Sequence, residues 1–173
     1  MASVVFFRAV NVGGHQKFQP SRLAKELAAL EVVNVGAAGT LVVRAKVNAT
    51  RLRAEILRHL PFKPELMICP SQHILALAAT PLFQRAPVGK NLTRFVSVLP
   101  QAPPVPPKLP LLFPASGKWE VQLVAVVGNV VLSVRRPGPK GLYPNAVVEK
   151  SLGMVATTRN WNTIETICRV LEA

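Results

Sequence analysis

The chain opens on a short, mostly apolar, β-branched and aromatic run, 3–9, which predicts a buried strand. Asn11-Val12-Gly13-Gly14-His15 ends it, because adjacent glycines admit backbone angles that other residues resist. Leu23, Leu27 and Leu30 then recur at helical spacing behind Pro20-Ser21, a helix start where the missing proline N–H would have had no partner. Residues 32–37 and 40–44 read as two strands joined near Ala38-Gly39. Asn48 is placed to cap a helix that carries Leu52, Ile56, Leu57 and Leu60 and stops at Pro61; residues 66–69 close the unit as a strand. The order βαββαβ fits a split β-α-β sheet with helices packed on one face.

The second half repeats this order imperfectly. Residues 71–82 predict a linking helix and 92–99 a strand. Residues 100–114 then hold seven prolines, which forbid a regular helix and favour extended polyproline II. A stiff crossing therefore stands where the first half has a helix. Residues 118–127 and 130–135 form a hairpin around Gly128-Asn129, 145–152 a helix ended by Gly153, 154–156 a strand and 163–171 a last helix. The expected fold is α+β: two ferredoxin-like (βαββαβ, α/β plait) subdomains, residues 1–84 and 85–173, with antiparallel sheets and helices on one face, and a Pro-rich segment replacing a helix in the second.

Composition narrows the chemistry. An apolar fraction of 50% over 173 residues is enough to fill a core. Lysine and arginine number 21 against 8 acidic residues, all glutamate, for a net charge of +13. Such a charge predicts attraction to polyanions, nucleic acid first among them, and bears on association rather than on fold. A solvated basic surface is the plainer reading. The absence of aspartate excludes a Ser-His-Asp triad and DxD metal sites, leaving glutamate as the only carboxylate for acid–base work. Cys69 and Cys168 form no CxxC and read as reduced, buried thiols. No run reaches the ~18 apolar residues of a membrane span, and the first residues lack the features of a secretory signal. A cytoplasmic protein without a membrane partner is expected.

Candidate binding residues cluster at the two ends. Residues 11–17 lie between a strand and a helix, where backbone amides around Gly13 and Gly14 could cradle an anion beside Lys17. The run lacks the GK[ST] ending of a P-loop and the GxGxxG fingerprint, so a tight structural turn is its other reading. Arg8 interrupts an apolar strand with a charge. Either it holds a carboxylate or phosphate in a bidentate fork, or it pairs with a glutamate such as Glu149. The run 154–163 gathers Arg159, Asn160, Trp161 and Asn162 with three threonines at a strand-to-helix turn. These groups either bind a ligand, or Asn160 and Asn162 cap the last helix while Trp161 packs as a wedge. His15, His59 and His73 show no ligand spacing, so neither a metal nor a cofactor is expected.

Arg44, Lys46, Arg51, Arg53 and Arg58 gather on the second strand pair and the helix after it, the pattern of a nucleic-acid footprint, although Glu55 can neutralise part of that face. Arg135, Arg136 and Lys140 form a second group in the Pro/Gly-rich loop after the hairpin. Aromatic stacking residues are scarce: Tyr143 is the only tyrosine, and no RNP-type strand signature is present. The PxxP run at residues 103–110 reads as a rigid connector.

The opening Phe6-Phe7-Arg8-Ala9-Val10-Asn11-Val12-Gly13-Gly14 with Ser21-Arg22-Leu23, and the closing Asn145-Ala146-Val147-Val148-Glu149-Lys150-Ser151-Leu152-Gly153 through Thr163, resemble the bacterial domain-of-unknown-function 1697 family. The resemblance implies a pair of ferredoxin-like subdomains. It covers nearly the whole chain but departs in the middle. Val35-Gly36-Ala37-Ala38-Gly39-Thr40 stands where relatives carry a tyrosine and then Gln-Ser-Gly-Asn, and Gly141-Leu142-Tyr143-Pro144-Asn145 replaces a Ser-Lys-Leu-Thr-Asn-like stretch. Three functions stay open: a non-enzymatic module binding an anionic partner, with nucleic acid the best single choice; a small enzyme in which Arg8 and Arg159 position a carboxylate or phosphate and Glu149 is the acid or base; and a structural or oligomeric module without ligand.

Overall fold

The computed structural model describes residues 1–8, 18–83 and 86–173. The chain forms two compact units, Met1–Ala79 with Glu165–Ala173, and Thr80–Ile164. The boundary expected from the sequence is 84/85, with the whole last helix in the second unit. Among the described residues the architecture is mixed α+β, with two antiparallel sheets and five α-helices.

In the first unit the elements are β1 (Ser3–Arg8), α1 (Pro20–Glu26), β2 (Val32–Asn34), β3 (Thr40–Val43), α2 (Ala49–Arg58), β4 (Glu65–Pro70) and α3 (Ser71–Ala79). The sheet order is β2-β3-β1-β4, antiparallel throughout. Strand alternation sends Val5 and Phe7 of β1, Leu41 and Val43 of β3 and Leu66 of β4 into one core with Leu23, Leu27, Leu52 and Ile56. Phe7 stacks on Phe18 at 4.6 Å between ring centroids. α2 forms because Asn48 Oδ1 accepts the Arg51 N–H at 2.8 Å, satisfying an otherwise orphaned donor, while Leu52 and Ile56 recur one turn apart on the buried side. Both are fully buried, and each contributes about 2 kcal/mol by area. Leu52→Ala would break this packing at a cost of about 3 kcal/mol. α1 ends at Glu26, and a 3-10 turn, Ala28–Leu30, carries on the leucine spacing.

In the second unit the elements are β5 (Thr93–Val98), β6 (Leu111–Phe113), β7 (Val121–Val127), β8 (Val130–Arg135), α4 (Pro144–Leu152), β9 (Thr157–Asn160) and the start of α5 (Trp161–Glu172). The sheet order is β6-β7-β8-β5-β9. Residues 100–114 contain no helix, as their prolines dictate. They do contain β6, which the sequence reading lacks. It pairs Leu111 with Leu123 at the sheet edge, the position where flanking Pro110 and Pro114 interrupt no ladder on the outer side. Leu99, Val121, Leu123 and Val131 pack on Val147 and Val148 of α4 and on Ala156. Gly153 ends α4 at φ 62, the left-handed conformation that glycine adopts without a Cβ penalty, and its N–H bonds Glu149 O.

The strand expected at 154–156 instead spans Thr157–Asn160. An apolar run marks burial, but the ladder partners here are polar: Thr157, Thr158, Arg159 and Asn160 pair with Val98, Ser97, Val96 and Phe95.

Candidate functional site

Asn11, Gly13 and Gly14, with His15 and Lys17, lie outside the described residues. Arg8 ends β1 and is half-buried, and the glutamate it faces is its cross-strand neighbour Glu65 at 3.5 Å. Glu149 is placed otherwise. Its Oε1 accepts the Ala156 N–H at 2.9 Å, tying α4 to the approach to β9.

The closing motif is engaged internally. Along β9, Thr157 and Arg159 turn to one face and Thr158 and Asn160 to the other. The Thr158 hydroxyl donates to Asn145 Oδ1 at 2.7 Å, so in its 2.7 Å contact with Ser97 it accepts. Arg159 is only 7% exposed, and its Nη1 donates to Thr157 Oγ1 at 2.7 Å and to Thr158 O at 3.0 Å. Burial holds its pKa down at about 10, because a guanidinium withdrawn from water loses hydration that favours its charged form. Asn160 Oδ1 accepts the Asn162 N–H at 2.9 Å and so caps α5. Trp161 meets Phe83 edge to face at 5.0 Å, and the Arg94 guanidinium lies 5.2 Å above the same Phe83 ring. Trp161 is half-buried and Asn162 is exposed.

The basic face around α2 is also partly engaged. Arg44 donates to Val170 O at 2.7 Å, near the carbonyl end of α5, and Arg53 donates to Leu66 O at 3.0 Å. Arg58 pairs with Glu55, and that guanidinium, together with His59, holds the Glu55 carboxyl below its usual value of 4.5. Lys46 and Arg51 stand in solvent. A cavity of about 390 Å³ opens nearby, lined by Arg22, Glu26 and His59 among others. Arg22 pairs with Glu26, and His59 stands between Glu26 and Glu55 at 3.6 and 3.4 Å, so the carboxylates here balance the cations. Among the described residues no group of three or more histidine, cysteine or glutamate side chains is placed to hold a metal ion. The Cys168 thiol is pushed up by burial, with Glu172 and Glu165 adding repulsion, which keeps it protonated and unreactive.

The loop after β8 differs. Arg135 lies 3.7 Å over the Tyr143 ring and donates from Nε to Leu142 O at 2.7 Å. Arg136 lies 4.1 Å over the Trp119 indole and donates from Nε to Trp119 O at 3.1 Å. Beneath them Glu120, 3% exposed, accepts the Lys140 N–H at 3.0 Å and the Leu142 N–H at 3.1 Å. A cavity of about 330 Å³ opens here, and Lys118, Trp119, Glu120, Arg136 and Lys140 carry its chemistry. Neither Trp119 nor Glu120 is marked by the sequence reading. The signal that finds them is the hairpin itself: pairing Val121 with Arg135 necessarily sets Trp119-Glu120 beside the Arg136-Pro137-Gly138 turn.

No family model and no curated protein matches the chain. The solved structure of a conserved bacterial protein from Streptococcus pneumoniae is similar to it, with a TM-score of 0.63 at 16% identity over 98% of both chains. At that identity the likeness concerns the fold. Among the described residues no helix is long and apolar enough to cross a membrane.

Proposed function

We propose that the protein is a non-enzymatic binding module for an anionic partner, with nucleic acid the partner class, acting in the cytoplasm. The observation that carries this reading is the pair of guanidinium-on-ring contacts, Arg135 on Tyr143 and Arg136 on Trp119, with Lys118 and Lys140 exposed beside them. A cation backed by an aromatic face is fixed in place while its charge stays available to phosphate. In the alternative reading as a small enzyme Glu149 is the acid or base, and one of its oxygens accepts the Ala156 N–H. The strand orders β2-β3-β1-β4 and β7-β8-β5-β9 support reading both sheets as ferredoxin-like, the second with β6 added, and with them the kinship to the domain-of-unknown-function 1697 family.

The test is a titration of labelled DNA and RNA at low and physiological salt. Wild type binds with an affinity that falls steeply with salt, Arg135→Glu/Arg136→Glu binds about thirtyfold more weakly, and Arg51→Glu/Arg53→Glu stays within about threefold. Equal binding by wild type and the loop variant would remove the loop from the function.

A further inference from the structure

The walls of the cavity beside Trp119 carry three cations, Lys118, Arg136 and Lys140, against one carboxylate, Glu120, for a net charge of +2 (3 − 1). Glu120 is committed to the loop. Its two oxygens take the Lys140 and Leu142 N–H groups, and its main-chain oxygen takes the Arg136 N–H at 2.7 Å. Gly138 approaches so closely that a Cβ there would stand 2.5 Å from Glu120 Cγ, and Pro137 and Pro139 fix φ on either side. The loop is therefore pre-organised, and an anion that enters bears little ordering entropy.

Within this frame Arg136 is oriented twice, by its Nε–H to Trp119 O and by the indole beneath its guanidinium. A guanidinium set over a ring offers a planar cationic platform, the kind of surface on which an unpaired nucleobase stacks. The opening, about 330 Å³, falls within the ~300–1,000 Å³ of small-ligand pockets. Lys118 and Lys140, both exposed at its rim, are strongly hydrated point charges suited to a phosphate rather than to the base. A duplex keeps its base faces stacked and could use only the lysines.

The geometry points to a nucleotide-unit site: one unpaired base stacks at the Arg136–Trp119 pair while its phosphate meets Lys118 and Lys140. This rests on the anion-binding reading above and names the unit that is recognised. The same chemistry is supplied by a free nucleotide or by a single strand.

The experiment titrates the full chain with adenosine 5′-monophosphate, inorganic phosphate, a short oligoadenylate and the corresponding duplex, for wild type, Trp119→Ala and Arg136→Lys. Circular dichroism melts establish that each variant is folded. Arg136→Lys, which keeps the charge and loses the platform, carries the test if Trp119→Ala does not fold. The single strand binds wild type about tenfold more tightly than the duplex, and each variant weakens the single strand by about five- to tenfold while leaving the duplex unchanged. If adenosine 5′-monophosphate binds as tightly as the strand and shows the same dependence, the source is the free nucleotide; if it binds only weakly, the source is the strand. Strand and duplex binding that is equal, and equal in all three proteins, overturns the nucleotide-unit site and leaves the polyanion reading standing. Inorganic phosphate binding as tightly as adenosine 5′-monophosphate reduces the cavity to a bare anion site and also overturns it. No binding of any probe ends both readings.

Discussion

Five cations lie on or beside α2 and four stand where the ends of the β7–β8 hairpin meet, and the two groups are used differently. Around α2, Arg44 and Arg53 reach main-chain carbonyls and Arg58 reaches a carboxylate, so the fold itself takes up charge that composition would assign to a partner. At the end of β8 and just after it, Arg135 and Arg136 set Nε on carbonyls and rest their guanidinium planes on rings. Net charge alone does not separate these cases. What separates them is the aromatic ring that holds each guanidinium plane of the second group in place.

Arg159 is the extreme of the first kind and gives the largest expected effect. Arg159→Ala removes the donor to Thr157 Oγ1 and opens a cavity in a buried strand, at a cost of about 3 kcal/mol in denaturant unfolding. Arg159→Met, which fills the space without a charge to desolvate, recovers at least half of that. A loss under about 1 kcal/mol for Arg159→Ala would class it with the exposed cations and break the comparison.

The loop reversal Arg135→Glu/Arg136→Glu comes next, about thirtyfold in single-strand affinity, equivalent to about 2 kcal/mol. Its melting temperature should stay within a few degrees of wild type, because both guanidinium groups are only partly buried. The corresponding α2 change, Arg51→Glu/Arg53→Glu, is smaller at under about threefold, since it removes neither of the ring-backed guanidinium groups. An α2 effect equal to the loop effect would erase the distinction between the regions.

Smallest is the response of the Arg58–Glu55 pair to acid. The folded-state pKa of Glu55 lies below 4.5, so its contribution is present above that value and is lost as pH falls through the lower folded value. The melting-temperature difference between wild type and Glu55→Gln should be small at pH 7 and vanish as pH falls through that lowered value. A difference that grows on acidification would carry the wrong sign.

The elements of the first unit were legible because pattern and punctuation agree there. Asn48 caps α2 and Gln19-Pro20 opens α1, both at positions that local chemistry specifies. The second unit hides more. β6 sits inside a proline run whose composition argues against any ladder, and only an edge position makes it compatible. β9 was displaced because burying Thr157 and Arg159 contradicts the rule that charged residues face water; here Arg159 turns inward and donates locally to Thr157 Oγ1 and Thr158 O. In the closing run, Thr158 and Asn160 find internal partners in α4, β5 and α5 that the sequence alone does not show. Trp119 and Glu120 carried no local signal, since their role arises only when the hairpin brings residues 119–120 and 136–142 together.

Phosphate is expected at the cations around the ends of the β7–β8 hairpin, and not at the α2 face. The most direct test is the salt dependence of oligoadenylate affinity in wild type, the loop variant Lys118→Gln/Lys140→Gln and Arg51→Gln/Arg53→Gln. Each single-strand phosphate contact contributes about 0.7 to the slope of log K against log salt, so removing the two lysines should flatten it by about 1.4 and the α2 variant should leave it unchanged. A slope unchanged in the loop variant and flattened in the α2 variant would contradict the account.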